Sequence, residues 1–303
     1  AVATVDASGN VTAVGTGTAT ITVTTADGGR TATCTVTVRS NSGSSGSGSS
    51  GGGGTSGGSS VTVPVSGDQN TIHVSVSVSG STATVSRIDT AQINNVIGDS
   101  VKTGMVEIDF TGLGKTIDTV KLPAAPIGEI AAAAQSPAND VTGLTIKLTT
   151  GEIAFDGKAL AALYARAGSQ ITLTVTPART ADLNNWQREA VGNSPVFDLT
   201  LRSSSGAITD FRGGYATVSL PYTLTAGQNP SGVVVYYLDS TGNITPCATM
   251  YDVRSKAAIF TTGHLSLYFV GYDPAAVWVS PFSDVSEGAW YYDAVRYASE
   301  NGL

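Results

Sequence analysis

The chain has 303 residues, with 16 Lys and Arg against 23 Asp and Glu, a formal net charge of -7, and only 13% charged residues. A single core rarely grows to this length, so two or more domains are expected. The acidic balance is a poor match to phosphate backbones and argues against nucleic acid as a partner. No apolar run approaches the ~20 residues of a membrane helix.

Residues 1–38 read as short strands separated by Ser8-Gly9-Asn10, Gly15-Thr16-Gly17 and Asp27-Gly28-Gly29. Gly and Asn supply the positive φ of tight turns, and Val or Ile alternates with Thr between them, as in a strand with one buried face. In TATCTVTV, Ala32, Cys34, Val36 and Val38 share the apolar face. Residues 39–60 are almost wholly Gly and Ser. Nothing there offsets the entropy of ordering, so the stretch reads as a flexible linker with a reach of about 25 Å. It separates Cys34 from Cys247, which argues against a disulfide framework; both read as inert thiols, with Cys247 partly exposed beside Pro246.

Residues 61–274 read as one β-rich body with short helices. Ile72, Val74, Val76 and Val78 alternate with His73, Ser75, Ser77 and Ser79. A helix is expected behind Asp89 or Thr90, with Ile93, Val96 and Ile97 inward. Three strand–helix units follow. The first is Met105 to Leu122 with a helix near Ile127 to Ala134. The second is Leu144 to Phe155 with a helix capped by Asp156, lined by Leu160, Leu163 and Tyr164 and stopped by Gly168. The third is Ile171 to Thr176 with a helix capped by Asp182, running through Trp186 to Val191 and stopped by Gly192. From Val196 to Asp273 the pattern is strand throughout: VFDLTL, AITDF, YATVSLPYTL, GVVVYYLD, NITPC, KAAIFTT and LSLYFVGYD.

The chemistry in the sequence is sparse. With two histidines, His73 and His264, and no H-x-x-H or C-x-x-C spacing, no metal site is expected. No phosphate loop, nucleophile elbow or complete dinucleotide fingerprint is present beyond Gly112-Leu113-Gly114, so no cofactor is expected. Glu107 with Asp109, on one strand face, and Glu152 with Asp156, flanking an expected turn, are the carboxylate pairs to weigh for glycoside chemistry; solvated surface and helix capping account for them better. Asp239, Thr241 and Asn243 fit hairpin-turn chemistry rather than a calcium loop. Tyr222, Tyr236 and Tyr237, among other strand tyrosines, are candidates for a flat glycan-binding face, with half-buried packing as the alternative. His264-Leu265-Ser266 is similar to the His-Phe-Ser at which some β-rich receptor domains cleave themselves, but its run alternates as a plain strand does.

Two ends of the chain carry family resemblances. VATVDASGNVTAVGTGTATITV, continuing to Val38, resembles the C-terminal half of a group 2 bacterial Ig-like domain, a β-sandwich spacer of surface proteins and adhesins with no catalytic residues to carry over. Residues 281–303 resemble the opening of an S-layer homology module: Phe282, Asp284, Val285, Trp290, Tyr291, Ala294, Val295, Ala298 and Gly302 fall on its pattern. Ser286 is expected to cap its helix, with Trp290, Ala294, Val295 and Ala298 as the apolar face. Complete modules of that kind imply binding to cell-wall polysaccharide. A strand-rich segment from Gly213 to Pro274 resembles a β-domain that precedes such anchors in Gram-positive surface proteins.

The expected fold class is therefore mainly β: a truncated Ig-like β-sandwich (1–38), a Gly/Ser linker (39–60), a large β-rich domain with short helices (61–274) and the start of an α-helical S-layer homology module (281–303). The expected function is non-enzymatic: a scaffold or stalk segment of a secreted, wall-anchored bacterial protein. The alternatives are an adhesin-like module binding glycan or a host protein, and a self-cleaving β-domain.

Overall fold

The computed structural model describes residues 104–137, 140–286 and 289–300 continuously, with 74–88 and the shorter pieces 2–5, 11–14, 17–24, 31–38, 61–62, 72 and 93. The linker, His73 and the turns expected within 1–38 lie largely outside the described residues. The chain divides into two compact units, residues 57–277 and residues 1–56 with 278–303.

In the smaller unit, β1 (Ala3–Val5) pairs antiparallel with β2 (Val11–Ala13), and β3 (Gly17–Thr24) with β4 (Thr31–Val38). The β3–β4 register sets Ile21 opposite Cys34. The same unit holds a helix, Tyr292–Glu300. Two expectations about this helix fail. It starts at Tyr292 rather than behind Ser286, whose carbonyl instead accepts from the Ala289 amide in a turn. Its buried residues are Tyr292 and Arg296, one turn apart, while Ala294 is exposed and Trp290, just ahead of it, is 42% exposed. Tyr292 supplies the reason. Its ring meets Trp278 edge-on at 5.1 Å and its hydroxyl donates to the Trp278 carbonyl at 3.0 Å. An amphipathic tyrosine with a partner for both its ring and its hydroxyl outweighs the larger apolar indole.

The larger unit runs in chain order through β5 (Val61–Thr62), β6 (Val74–Ser79), β7 (Thr82–Ile88), β8 (Gly104–Asp109) and β9 (Thr119–Pro123) to helix α1 (Ala124–Ala134). Next come β10 (Val141–Leu148), β11 (Gly151–Asp156), α2 (Gly157–Tyr164), β12 (Gln170–Pro177) and α3 (Asn185–Val191). The remainder is β13 (Val196–Ser203), β14 (Gly206–Ala207), β15 (Ala216–Pro221), β16 (Val233–Leu238), β17 (Ile244–Cys247), β18 (Thr249–Asp252), β19 (Ala257–Thr262) and β20 (Leu267–Tyr272). Counting on from these, the helix of the smaller unit is α4. The fold is mainly β, as the alternating pattern implies.

The strands form two mixed sheets. One has the order β18-β19-β15-β11-β10-β8, the other β17-β16-β20-β13-β12-β9-β7-β6-β5 with β14 beside β13. Each has one parallel pair, β8 with β10 and β7 with β9; the other neighbours are antiparallel. Consecutive β8 and β9 thus lie in different sheets, not in one hairpin. The sheets face each other over a common core: Ile153, Val218 and Phe260 from one, Leu173, Val175 and Leu199 from the other, all essentially unexposed. Contact between the layers is direct, since the rings of Phe260 on β19 and Tyr268 on β20 are 4.8 Å apart. The outward face of the longer sheet is a hydroxyl surface, where Ser75 and Ser77 are exposed and Thr119 and Thr174 bond across strands at 3.2 Å.

The short helices follow local chemistry. Asp156 caps α2 as expected, accepting from the Ala159 amide at 2.7 Å. α1 and α2 pack together and on β10. Gly128 permits the approach, because a Cβ there would fall 2.6 Å from the Tyr164 ring. α3 corrects the expected cap: Asp182 lies in a separate 3-10 turn, and Asn184 forms a capping box with Gln187. Leu183 between them is needed in a small core with Val191, Val196, Leu238 and Phe269, so the helix begins after it. The helix expected near Asp89 is described only at Ile93, which is helical and fully buried.

Candidate functional site

The residues with chemical potential collect where β16, β19 and β20 meet. His264, Leu265 and Ser266 do not continue a strand; they form the crossing from β19 in one sheet to β20 in the other. The His264 ring meets Tyr237 edge-on at 4.9 Å and stacks near Tyr268 at 6.1 Å. Tyr268 is 1% exposed, and its hydroxyl lies 2.8 Å from the Thr262 hydroxyl and donates to the His264 carbonyl at 2.9 Å. Burial pushes the Tyr268 phenol upward and the His264 imidazole downward. Cys247, on β17 opposite Val235 of β16, lies partly buried at the margin of the same core, and burial raises its thiol above the ordinary range.

This cluster is built like a packing knot. A self-cleaving tripeptide needs the imidazole within reach of the serine hydroxyl. Here the Nδ1 of His264 faces the Tyr268 hydroxyl at 3.4 Å, and the Ser266 hydroxyl bonds to no described group; the Ser266 carbonyl accepts from the Leu199 amide.

The three candidate tyrosines do not share a surface. Tyr236 and Tyr237 are sequence neighbours and point to opposite faces of β16. Tyr236 stacks on Phe269 at 4.9 Å beside the small core, and burial, then the charge of Asp273, raises its phenol. Tyr237 turns inward to Tyr268 and His264. Tyr222 packs edge-on against buried Tyr251 at 6.2 Å, and the Tyr251 hydroxyl donates to the Tyr222 carbonyl. All three are half-buried.

The carboxylates separate likewise. Glu107 and Asp109 do share the outward face of β8. Glu152 and Asp156 do not flank a turn: both lie on β11, four residues or about 13 Å apart. Asp156 is committed to α2 and to the Tyr215 amide at 3.1 Å. Lys147 bonds Glu107 at 2.6 Å across the pair of strands and stands opposite Glu152 on the other side. Burial works against its charge, but the Glu107 bond, with Glu107, Glu152 and Asp109 as neighbours, holds Lys147 above its ordinary value. Burial raises Glu152, the Lys147 charge opposing it. Lys147, held between carboxylates of the two neighbouring strands, accounts for Glu107 and Glu152 as a half-buried salt-bridged cluster.

Asp239 satisfies its own turn: its carboxylate accepts from the Thr241 hydroxyl at 2.7 Å, the Thr241 and Asn243 amides, and the Asn243 side chain at 3.1 Å. These bonds, the Thr241 hydroxyl first, hold Asp239 at about 2. Among the described residues no three His, Cys, Asp or Glu side chains are placed to hold a metal, and no helix is long and apolar enough to cross a membrane.

One residue escaped the sequence reading. Trp186, placed there simply inside a helix, is 68% exposed on α3. Its position in the helix gave the signal, since the inward stripe of α3 is Gln187 and Val191.

No curated protein and no solved structure matches the chain. Residues 1–36 match the family model of the bacterial Ig-like domain (group 2). Domains of that family typically occur in extracellular or surface proteins of bacteria, so the N-terminal part of this chain is similar to a surface-associated bacterial module.

Proposed function

We propose that the chain is a non-enzymatic scaffold segment of a secreted bacterial surface protein, held at the wall through S-layer homology modules that bind cell-wall polysaccharide. The observation that carries this reading is the Ig-like match over residues 1–36. The pattern Phe282, Asp284, Val285, Trp290, Ala294, Val295 and Ala298 supports the anchoring part. The body supports the structural part. Its polar candidates are spent on packing, capping and turn bonds, as at His264, Asp156 and Asp239. Its outward Ser and Thr face, with Ser75 and Ser77 exposed, is uncharged at these positions, which suits a spacer. The reading requires neither metal nor cofactor.

Cell fractionation tests it. The full-length protein should partition with the wall and be released when non-peptidoglycan polysaccharide is stripped from that wall. Retention after stripping refutes polysaccharide anchoring, and recovery from the cytosol refutes the surface role.

A further inference from the structure

We propose that Trp186 and the turn beneath it form a docking point for one neutral pyranose ring of a carbohydrate. The inference does not depend on how the protein is anchored.

The indole stands on a fixed base. Asn184 and Gln187 close the capping box by bonding each other's backbone amides at 2.9 and 3.1 Å. Their remaining amide donors cross to the Asp239–Asn243 turn: Asn184 Nδ2 donates to the Ser240 carbonyl at 2.7 Å and Gln187 Nε2 to the Asp239 carbonyl at 2.9 Å. The turn is itself tied to the Asp239 carboxylate. Gly242, at φ +89°, lies against the Trp186 backbone; a Cβ there would fall 2.7 Å from the Trp186 Cβ and 2.8 Å from its carbonyl carbon. Immobility of the base lowers the entropic cost of binding on it.

The ring above that base is unspent. No described aromatic ring stacks on Trp186 and its Nε1–H donates to no described group, unlike the half-buried tyrosines. Thr241 and Asn243 flank Gly242, and Ser240, Asn185 and Arg188 stand close by in chain and space, all exposed. The Thr241 hydroxyl and Asn243 amide are bonded to Asp239, and Arg188 to Asn185, so the indole face itself makes the contact; an apolar plate complements the apolar C–H face of a sugar ring, whose edge hydroxyls stay in water. Size selects the occupant. Trp186, 68% exposed, offers less than the about 150–250 Å² that a fully buried aromatic side chain contributes, whereas a stable protein partner needs about 800 Å² on each side. Charge selects further: with a net charge of -7, the chain disfavours anionic polymers.

The test titrates the intact chain with neutral tetrasaccharides of glucose and of N-acetylglucosamine, reading tryptophan fluorescence, with circular dichroism as the check on folding. Trp278 and Trp290 are the other indoles, so Trp186→Phe and Trp186→Ala isolate the signal. The expected result is a saturable change in the wild type. By calorimetry, affinity should fall at least about tenfold in Trp186→Ala and stay within about threefold in Trp186→Phe, which keeps a ring face. Equal affinity in Trp186→Ala, or no saturable response to either sugar, overturns the proposal. Binding confined to an anionic polymer overturns it too.

Discussion

If the two sheets of the larger unit share one core, adjacent residues on a single strand must differ sharply in what they support. Phe260 and Thr261 on β19 give that comparison. Phe260 is 2% exposed and meets Tyr268 of the opposite sheet at 4.8 Å, while Thr261 is exposed on the outward face. Removing the phenyl ring forfeits a transfer contribution of about 1.5–3 kcal/mol. The cavity left between two rigid sheets raises the cost of Phe260→Ala to about 3–5 kcal/mol. In a unit of this size each kcal/mol lowers Tm by roughly 2–4 °C, so a fall of roughly 6–20 °C is expected. Thr261→Ala should stay within about 0.5 kcal/mol of the parent. Urea unfolding and calorimetry of both variants measure the difference. Should Phe260→Ala cost under about 1 kcal/mol with an unchanged m-value, the sheets are not packed through this contact.

Three further outcomes follow from the same geometry. Burial lowers His264, so the fold favours its neutral ring; this stability is present above about 6.5 and is lost as pH falls below it, and a His264→Phe variant should show a flatter stability profile between pH 7.5 and 5.5 in thermal melts. Asp198, on β13 between Thr176 and Leu267, is raised by burial, which reverses the sign: its ionised form costs stability, so Asp198→Asn should be more stable at pH 7, and the advantage should vanish as pH falls past the raised value toward 3.8. With the His264 ring held in the Tyr237–Tyr268 contacts, the purified chain should keep its full mass by denaturing mass spectrometry; a break between Leu265 and Ser266 would show that the ring leaves this position to act as a base.

Alternation made most strands legible in the sequence. The runs from Val196 to Asp273 match β13, β15, β16, β17, β19 and β20; the alternation is plainest on β15, which buries every second side chain, whereas β17 buries none. β18 was missed: TMYD is four residues long and carries no clear alternation. What alternation cannot encode is the sheet a strand joins. β8 and β9 show the same in–out pattern but pair with β10 and with β7 and β12 in opposite layers, and only the non-local parallel pairings distinguish them. Capping was legible at Asp156, where the acidic residue directly precedes the helix, and misplaced at Asp182, where burial of Leu183 shifts the start to Asn184. The tyrosines were legible as strand residues but not as a site, since neighbours on a strand must diverge and each ring found a partner inside. Trp186 stayed hidden for the converse reason: apolar residues are expected inward, although a helix that turns Val191 to the core carries Trp186, five residues earlier, away from it.

The proposed surface role is tested most directly on living cells that produce the protein, with antibodies raised against residues 104–277. Intact cells should label, and brief trypsin treatment should remove the label while a cytosolic control protein stays whole. Labelling that appears only after permeabilisation, with full protection from trypsin, would contradict the account.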